Sequence, residues 1–302
     1  MRYSVVELSR QGGRSYNQDR VGHCSTGEAL LMVVADGMGG HQHGDVAAQL
    51  ALAQLTKSFK RAARPKLANP DLFLFRTIGR VHRMLHREAR KLGLLETPRT
   101  VIVACVVQDG YAYWSHLGDS RLYLVRGGRV LTRTRDHTRV QQLLDLGRIR
   151  EEALATHPER NKVLQCLGSD KPPRLAPTSS ARLLKDDIVL LCTDGLWGPL
   201  TQRQLLHALL TQPLEPAAAE LAALAEARAG AECDNLSLVA MSWGEEELAP
   251  ADEPHTLPFH ELPTEAQDLA AIEPGFLEMT DEDIERAIAE IRSALRKHAG
   301  SR

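Results

Sequence analysis

The sequence predicts an α+β fold of antiparallel sheet flanked by helices, and three observations carry that prediction. Short β-rich runs bounded by Gly, Asp or Asn recur at 30–34, 101–107, 111–116, 121–126, 188–192 and 236–241. Gly127-Gly128 joins 121–126 to 129–132 through a two-residue loop, the mark of a hairpin, so neighbouring strands run antiparallel. Helical periodicity appears at 45–60, 71–92, 202–210 and 216–228, which sets helices beside the sheets instead of after every strand. In the second helix Leu74, Ile78, Val81, Leu85 and Leu92 form one apolar stripe for the core, while Arg76, Arg80, Arg83, Arg87 and Arg90 line the far side. No internal repeat is visible.

At 302 residues, with 43% hydrophobic and 25% charged side chains, the chain is long enough to close a core unaided. That composition excludes a collagen-like, a disulfide-stapled or a wholly disordered protein. The longest apolar runs, at 29–35 and 188–192, fall far short of the roughly 20 residues of a membrane span. Residues 1–10 are polar and lack the apolar centre of a secretory signal. The cysteines, at 24, 105, 166, 192 and 233, are odd in number and include no C-x-x-C pair, so reduced thiols in a cytoplasmic protein are expected.

The near-neutral charge conceals a division. Residues 1–243 carry 32 Lys and Arg against 24 Asp and Glu, whereas residues 244–302 carry 5 against 15. No Lys or Arg occurs between Gly244 and Glu285, and five prolines interrupt that stretch, so 244–279 reads as a solvated acidic linker. Beyond it Thr280 is placed to cap a helix over 280–299, with Ile284, Ile288, Ile291 and Leu295 on one face as a docking edge for a partner. Aromatic residues make up 4% of the chain and no basic motif is interleaved with them, which makes nucleic acid an unsuitable partner for the basic 1–243 domain.

Four aspartates share a setting: Asp19 in RSYNQD, Asp36 in VVADG, Asp194 in LLCTDG and Asp234 in CDN. A carboxylate at a strand end is held rigidly, and a following glycine opens the backbone to a ligand. A lone Asp-Gly is a turn. Four such acids converging would repel one another and raise each other's pKa unless a cation sits among them. Oxygen donors without Cys or His at zinc spacing favour Mn²⁺ or Mg²⁺. No cysteine heads a C-x₅-R loop, so cysteine-based phosphate chemistry is excluded.

Seven strings in order, RSYNQD (14–19), VVADGMGGHQHGDVAA (33–48), HLGDSRLYL (116–124), RDHT (135–138), HPERNKVLQCLG (157–168), IVLLCTDGLW (188–197) and CDNLSLV (233–239), resemble the bacterial type 2C metal-dependent serine/threonine protein phosphatases. The resemblance spans residues 3–242. It implies a four-layer α/β/β/α sandwich, two antiparallel sheets with helices on both outer faces, followed here by the acidic C-terminal extension. It also implies hydrolysis of phosphoserine and phosphothreonine in proteins, opposing a Ser/Thr kinase.

Asp36 resembles the carboxylate bridging two metal ions, with the Gly37 carbonyl on one and Asp194 and Asp234 on the other. Asp119 resembles a ligand of a third, weaker ion shared with Asp194. Asp19 resembles the residue that hydrogen-bonds water at the ions, and Arg14 the arginine that grips phosphate. Asn235 is expected to orient Asp234 or a water.

Three departures from the family stand out. Gln18 replaces a frequent glutamate, which predicts weaker metal binding. Met38 stands where some members carry a histidine, with His41 and His43 nearby, and Thr97-Pro98-Arg99-Thr100 replaces the usual Gly-Thr-Thr. The segment 135–167 resembles the family's flap beside the cleft, with a helical pattern at Val140, Leu143, Leu144 and Leu146. Arg121, Arg126, Arg129, Arg133, Arg135 and Arg139 approach it as a basic rim for phosphorylated segments. The alternative reading, a phosphatase-like binding module of weak catalysis, rests on Gln18 and 97–100.

Overall fold

The computed structural model describes residues 1–38, 43–154, 156–174 and 178–244; the linker beyond Gly244, the 280–299 helix and His41 fall outside them. Among the described residues ten strands form two five-stranded sheets, and all eight of their pairings are antiparallel. One sheet is ordered β1 (Tyr3–Arg10), β10 (Leu236–Trp243), β9 (Ile188–Cys192), β6 (Arg121–Arg126) and β7 (Arg129–Arg133). The other is ordered β2 (Arg20–Ser25), β3 (Ala29–Gly37), β4 (Thr100–Gln108), β5 (Tyr111–Leu117) and β8 (Ser179–Arg182).

Strand alternation sends one set of side chains between the sheets and the other under the helices. Leu30, Met32 and Val34 of β3 meet Val189, Leu191, Val239 and Met241 of the opposite sheet. Leu31 and Val33 instead pack beneath α1 (Gly44–Ala62) and α2 (Pro70–Leu92), against Leu55, Phe59, Leu74 and Ile78. On the far side Leu190, Cys192 and Leu238 pack under α5 (Gln202–Thr211) and α6 (Leu214–Ala229), with Leu205, Leu209 and Leu221. Burial on both faces explains why these central strands read as continuous apolar runs although the sheets are antiparallel. Each buried Leu contributes about 1.5–3 kcal/mol relative to its exposed state.

The helices begin where local chemistry satisfies their first N–H groups. Asn69 accepts from the Leu72 N–H at 2.9 Å, Pro70 follows, and Gly93 (φ 63) ends α2. A Thr201–Gln204 capping box starts α5. In the 135–167 segment Thr138 caps α3 (Arg139–Asp145), burying Val140 and Leu143, but Leu146 is 59% exposed and outside the helix. The expected stripe therefore ends at the half-buried Leu144, two residues before Leu146. The short α4 (Asp194–Trp197) follows β9 directly. All five thiols are free and only Cys24 is less than buried.

Candidate metal centre

Antiparallel pairing brings the ends of several strands to one end of the sandwich. Asp36 and Gly37 close β3, and Asp19 directly precedes β2, whose Arg20 lies opposite Ala35. Asp194 opens α4 just after β9, and Asp234 and Asn235 lead into β10, whose Leu238 lies opposite Cys192. Asp119 occupies the turn between β5 and β6.

Backbone crowding fixes these positions. A Cβ on Gly37 would lie 2.4 Å from the backbone of Gly44, and one on Gly195 would lie 2.1 Å from the Asn235 carbonyl oxygen. The Thr100 hydroxyl donates to the Asp36 carbonyl at 2.7 Å, and the Met38 N–H donates to the Arg99 carbonyl at 3.1 Å. The unusual 97–100 stretch thus supports the end of β3. His43 heads α1 in the left-handed region (φ 65).

Asp19 is 2% exposed; one oxygen accepts from the Thr193 hydroxyl at 2.9 Å and the other is buried without a partner among the described residues. The buried Gln18 amide nitrogen likewise has no partner and lies against Gly44, while the Gln18 carbonyl accepts from the Gly37 N–H at 3.3 Å. Arg14 forks onto Asp234 through Nε at 2.8 Å and Nη2 at 2.7 Å. One guanidinium thus enters the cluster of acids. Asn235 holds Asp234 through its backbone N–H at 2.8 Å. Its side chain instead secures the 11–18 loop, accepting from Gln18 N–H at 2.8 Å and donating to the Gln11 and Tyr16 carbonyls.

Burial is the first cause of the acids' raised pKa values, and like charge adds to it. Asp194 is pushed up to about 6, by burial and then by Asp234. Asp19 is pushed up to about 7, by burial against the hydrogen bonds of Ser237 and Thr193, and then by Asp194 and Asp234. Asp119 reaches about 8, by burial, Asp194 and Asp136. Asp36 is raised well above the ordinary aspartate value, by burial first and then by the charges of Asp19, Asp194, Asp119 and Asp234.

Among the described residues no three Asp, Glu, His or Cys side chains are gathered at ligating spacing as they stand. One of the acids, Asp234, is engaged with Arg14. The donor set nonetheless fits a hard divalent ion: it is all oxygen, mutually repelling, and includes the orphaned Asp19 oxygen.

The basic rim is largely neutralised. Arg121 is 9% exposed and pairs with Asp136, Arg126 pairs with Asp187, Arg135 with Asp145, and Arg139 with Glu159. Arg129 and Arg133 stand exposed on β7. Thr193, Thr100 and Trp197, whose indole N–H donates to the Asp119 carbonyl at 3.0 Å, support the acids and were not legible as supports in the sequence. Trp197 and Thr193 do lie inside the 188–197 string, but spacing assigns them no partner.

The family profile for protein phosphatase 2C matches residues 9–228. The chain belongs to the protein phosphatase 2C family. A putative protein phosphatase 2C-type of Streptococcus pyogenes is 29% identical over 232 residues, covering 75% of this chain and 92% of that protein. The serine/threonine protein phosphatase PstP of Mycobacterium tuberculosis is 32% identical over 228 residues, 75% of this chain and 42% of that protein. The crystal structure of PstP superposes with a TM-score of 0.70 at 30% identity, covering 80% of this chain and 99% of that one. Its catalytic domain has also been solved with two manganese ions, at a TM-score of 0.69 and 29% identity over 80% of this chain and 99% of that one. This member of the protein phosphatase 2C family is a metal-dependent serine/threonine protein phosphatase with the two-sheet, helix-flanked sandwich of its relatives.

Proposed function

We propose that Asp36 holds two divalent ions, Mn²⁺ or Mg²⁺, with the Gly37 carbonyl on one and Asp194 and Asp234 on the other. Asp119 and Asp194 share a third, weaker ion. The observation that carries this reading is the gathering of five aspartates at one end of the sandwich, with Asp36 raised by burial and then by the other four. Bound ions of this kind lower the pKa of water and neutralise phosphoryl oxygens.

The chain's own groups supply the rest. Asp19, fixed by Thr193, offers its unpartnered oxygen to an attacking water. The planar Arg14 fork matches two phosphate oxygens and is kept at the pocket by Asp234. Gln18, neutral where relatives of this type often carry an acid, hydrogen-bonds water instead of adding charge, which weakens metal affinity without abolishing it. The substrates are cytoplasmic phosphoproteins made by an opposing Ser/Thr kinase in a signalling pair, and residues 280–299 dock a protein partner.

Purified chain with Mn²⁺ is expected to hydrolyse a phosphothreonine peptide and p-nitrophenyl phosphate. Asp36→Asn, which keeps the shape and removes the charge, is expected to lower turnover by at least about 10²–10³-fold and to abolish the calorimetric Mn²⁺ signal. Full Mn²⁺ binding by that variant would refute the assignment.

A further inference from the structure

Arg121 is a buried cation directly behind the cluster, and nothing in the proposed reaction uses it. It opens β6 two residues after Asp119. Its fork donates to both oxygens of Asp136, from Nε at 2.8 Å and from Nη2 at 2.7 Å, and its Nη1 donates to the Tyr123 hydroxyl at 3.1 Å. The flat face of the guanidinium lies 3.3 Å from the centroid of Trp197. Trp197 in turn donates its indole N–H to the Asp119 carbonyl at 3.0 Å. The next residue after Asp136, His137, brackets the same turn: its N–H donates to the Gly118 carbonyl at 2.8 Å and its Nδ1 accepts from the Gly118 N–H at 3.2 Å.

A buried ion pair is poor evidence for stability, since desolvation offsets most of the attraction. What it does provide is direction. A guanidinium clamped edge-on by a carboxylate and face-on by an indole has one orientation, and lysine reproduces neither contact. Trp197 is thereby pressed into the place from which it holds Asp119, and Trp197 belongs to the same four-residue helix as Asp194.

We propose that Arg121 is a positioning residue for the Asp119–Asp194 ion: clamped between Asp136 and Trp197, it fixes the turn that aims Asp119 at Asp194. The proposal rests on the reading above that Asp119 is an ion ligand.

The test uses the full chain with three substitutions, Arg121→Lys, Trp197→Phe and Asp119→Asn, and Mn²⁺ alone as the calorimetric probe. Asp119→Asn identifies which binding step belongs to Asp119. Arg121→Lys is expected to weaken that step by about 10–100-fold, the range for a partner that orients a ligand, and to leave the tighter steps within about twofold. The peptide kcat of Arg121→Lys should recover as Mn²⁺ is raised, with KM little changed. Trp197→Phe, which keeps a ring under the guanidinium but loses the indole N–H, should weaken the same step to a smaller extent. A lower melting temperature with every Mn²⁺ step unchanged, or an equal loss in all steps, would show a merely structural role and overturn the proposal. If Arg121→Lys does not fold, an unaltered isotherm for Trp197→Phe overturns it. If Asp119→Asn itself changes no step, the ligand reading of Asp119 fails, and the positioning role falls with it.

Discussion

Asp19, Asp119 and Asp194 show at the level of single side chains why this end of the molecule is built for cations. All three are raised above the ordinary 3.8 of aspartate, to about 7, 8 and 6, chiefly because burial penalises the charged form. Each group's folded pKa lies above its unfolded one, so its contribution to stability is complete below about pH 4 and is lost as pH rises through 6–8. A divalent ion reverses that loss because it binds the ionised form and releases protons. The melting temperature gained on adding Mn²⁺ is therefore expected to grow between pH 5.5 and pH 8.5, by about 5 °C or more. Calorimetry in buffers of different ionisation enthalpy should show proton release that declines over the same interval. A Mn²⁺ increment independent of pH would contradict it. The acids themselves were legible in the sequence because each ends or precedes a strand or sits beside glycine. The partners that hold them were not: Thr193, Trp197 and the Arg14–Asp234 fork connect residues up to 220 positions apart, and no local pattern records that.

Among the elements, the central strands and the hairpin strand β7 were legible, and the other three edge strands were not. Strands β3, β4, β9 and β10 are buried on both faces and announce themselves as apolar runs. By contrast β1 and β2 alternate exposed and half-buried residues, and β8 has four residues at a sheet edge, so none carries a run long enough to read. The four-residue α4 is too short for any helical period, yet it delivers Asp194. Its entry depends on Gly195, where an added Cβ would meet the Asn235 carbonyl oxygen at 2.1 Å, backbone against backbone. Neither side can yield by a rotamer change. Gly195→Ala is expected to destabilise the fold by about 2–4 kcal/mol, at the severe end for point substitutions. It should also weaken Mn²⁺ binding, because α4 and the start of β10 must separate. Melting and calorimetry on the same preparation check both. An Ala variant with native stability and native Mn²⁺ affinity would show that this contact does not set the site.

For the whole molecule the governing feature is the division of charge. Residues 1–243 carry an excess of eight positive charges and residues 244–302 an excess of ten negative ones, giving −2 overall. Much of the domain's positive charge is spoken for locally, as the ion pairs of Arg121, Arg126, Arg135 and Arg139 show, but pairing leaves the net excess intact. A phosphorylated peptide approaching at low ionic strength feels that net charge, since charges are screened only beyond about 10 Å at 0.1 M salt and about 3 Å at 1 M. Deleting 245–302 converts a weakly negative molecule into a positive one without touching any residue of the acidic cluster. KM for a phosphothreonine peptide is therefore expected to fall by about tenfold near 20 mM salt, with kcat unchanged. The difference between the two chains should shrink steadily as salt is raised toward 1 M. Steady-state kinetics across that range distinguishes this long-range effect from direct obstruction of the pocket by the tail, which would lower kcat/KM of the full chain for p-nitrophenyl phosphate at every salt concentration. Equal KM values and equal salt slopes for the two chains would mean that the acidic segment exerts no field at the site.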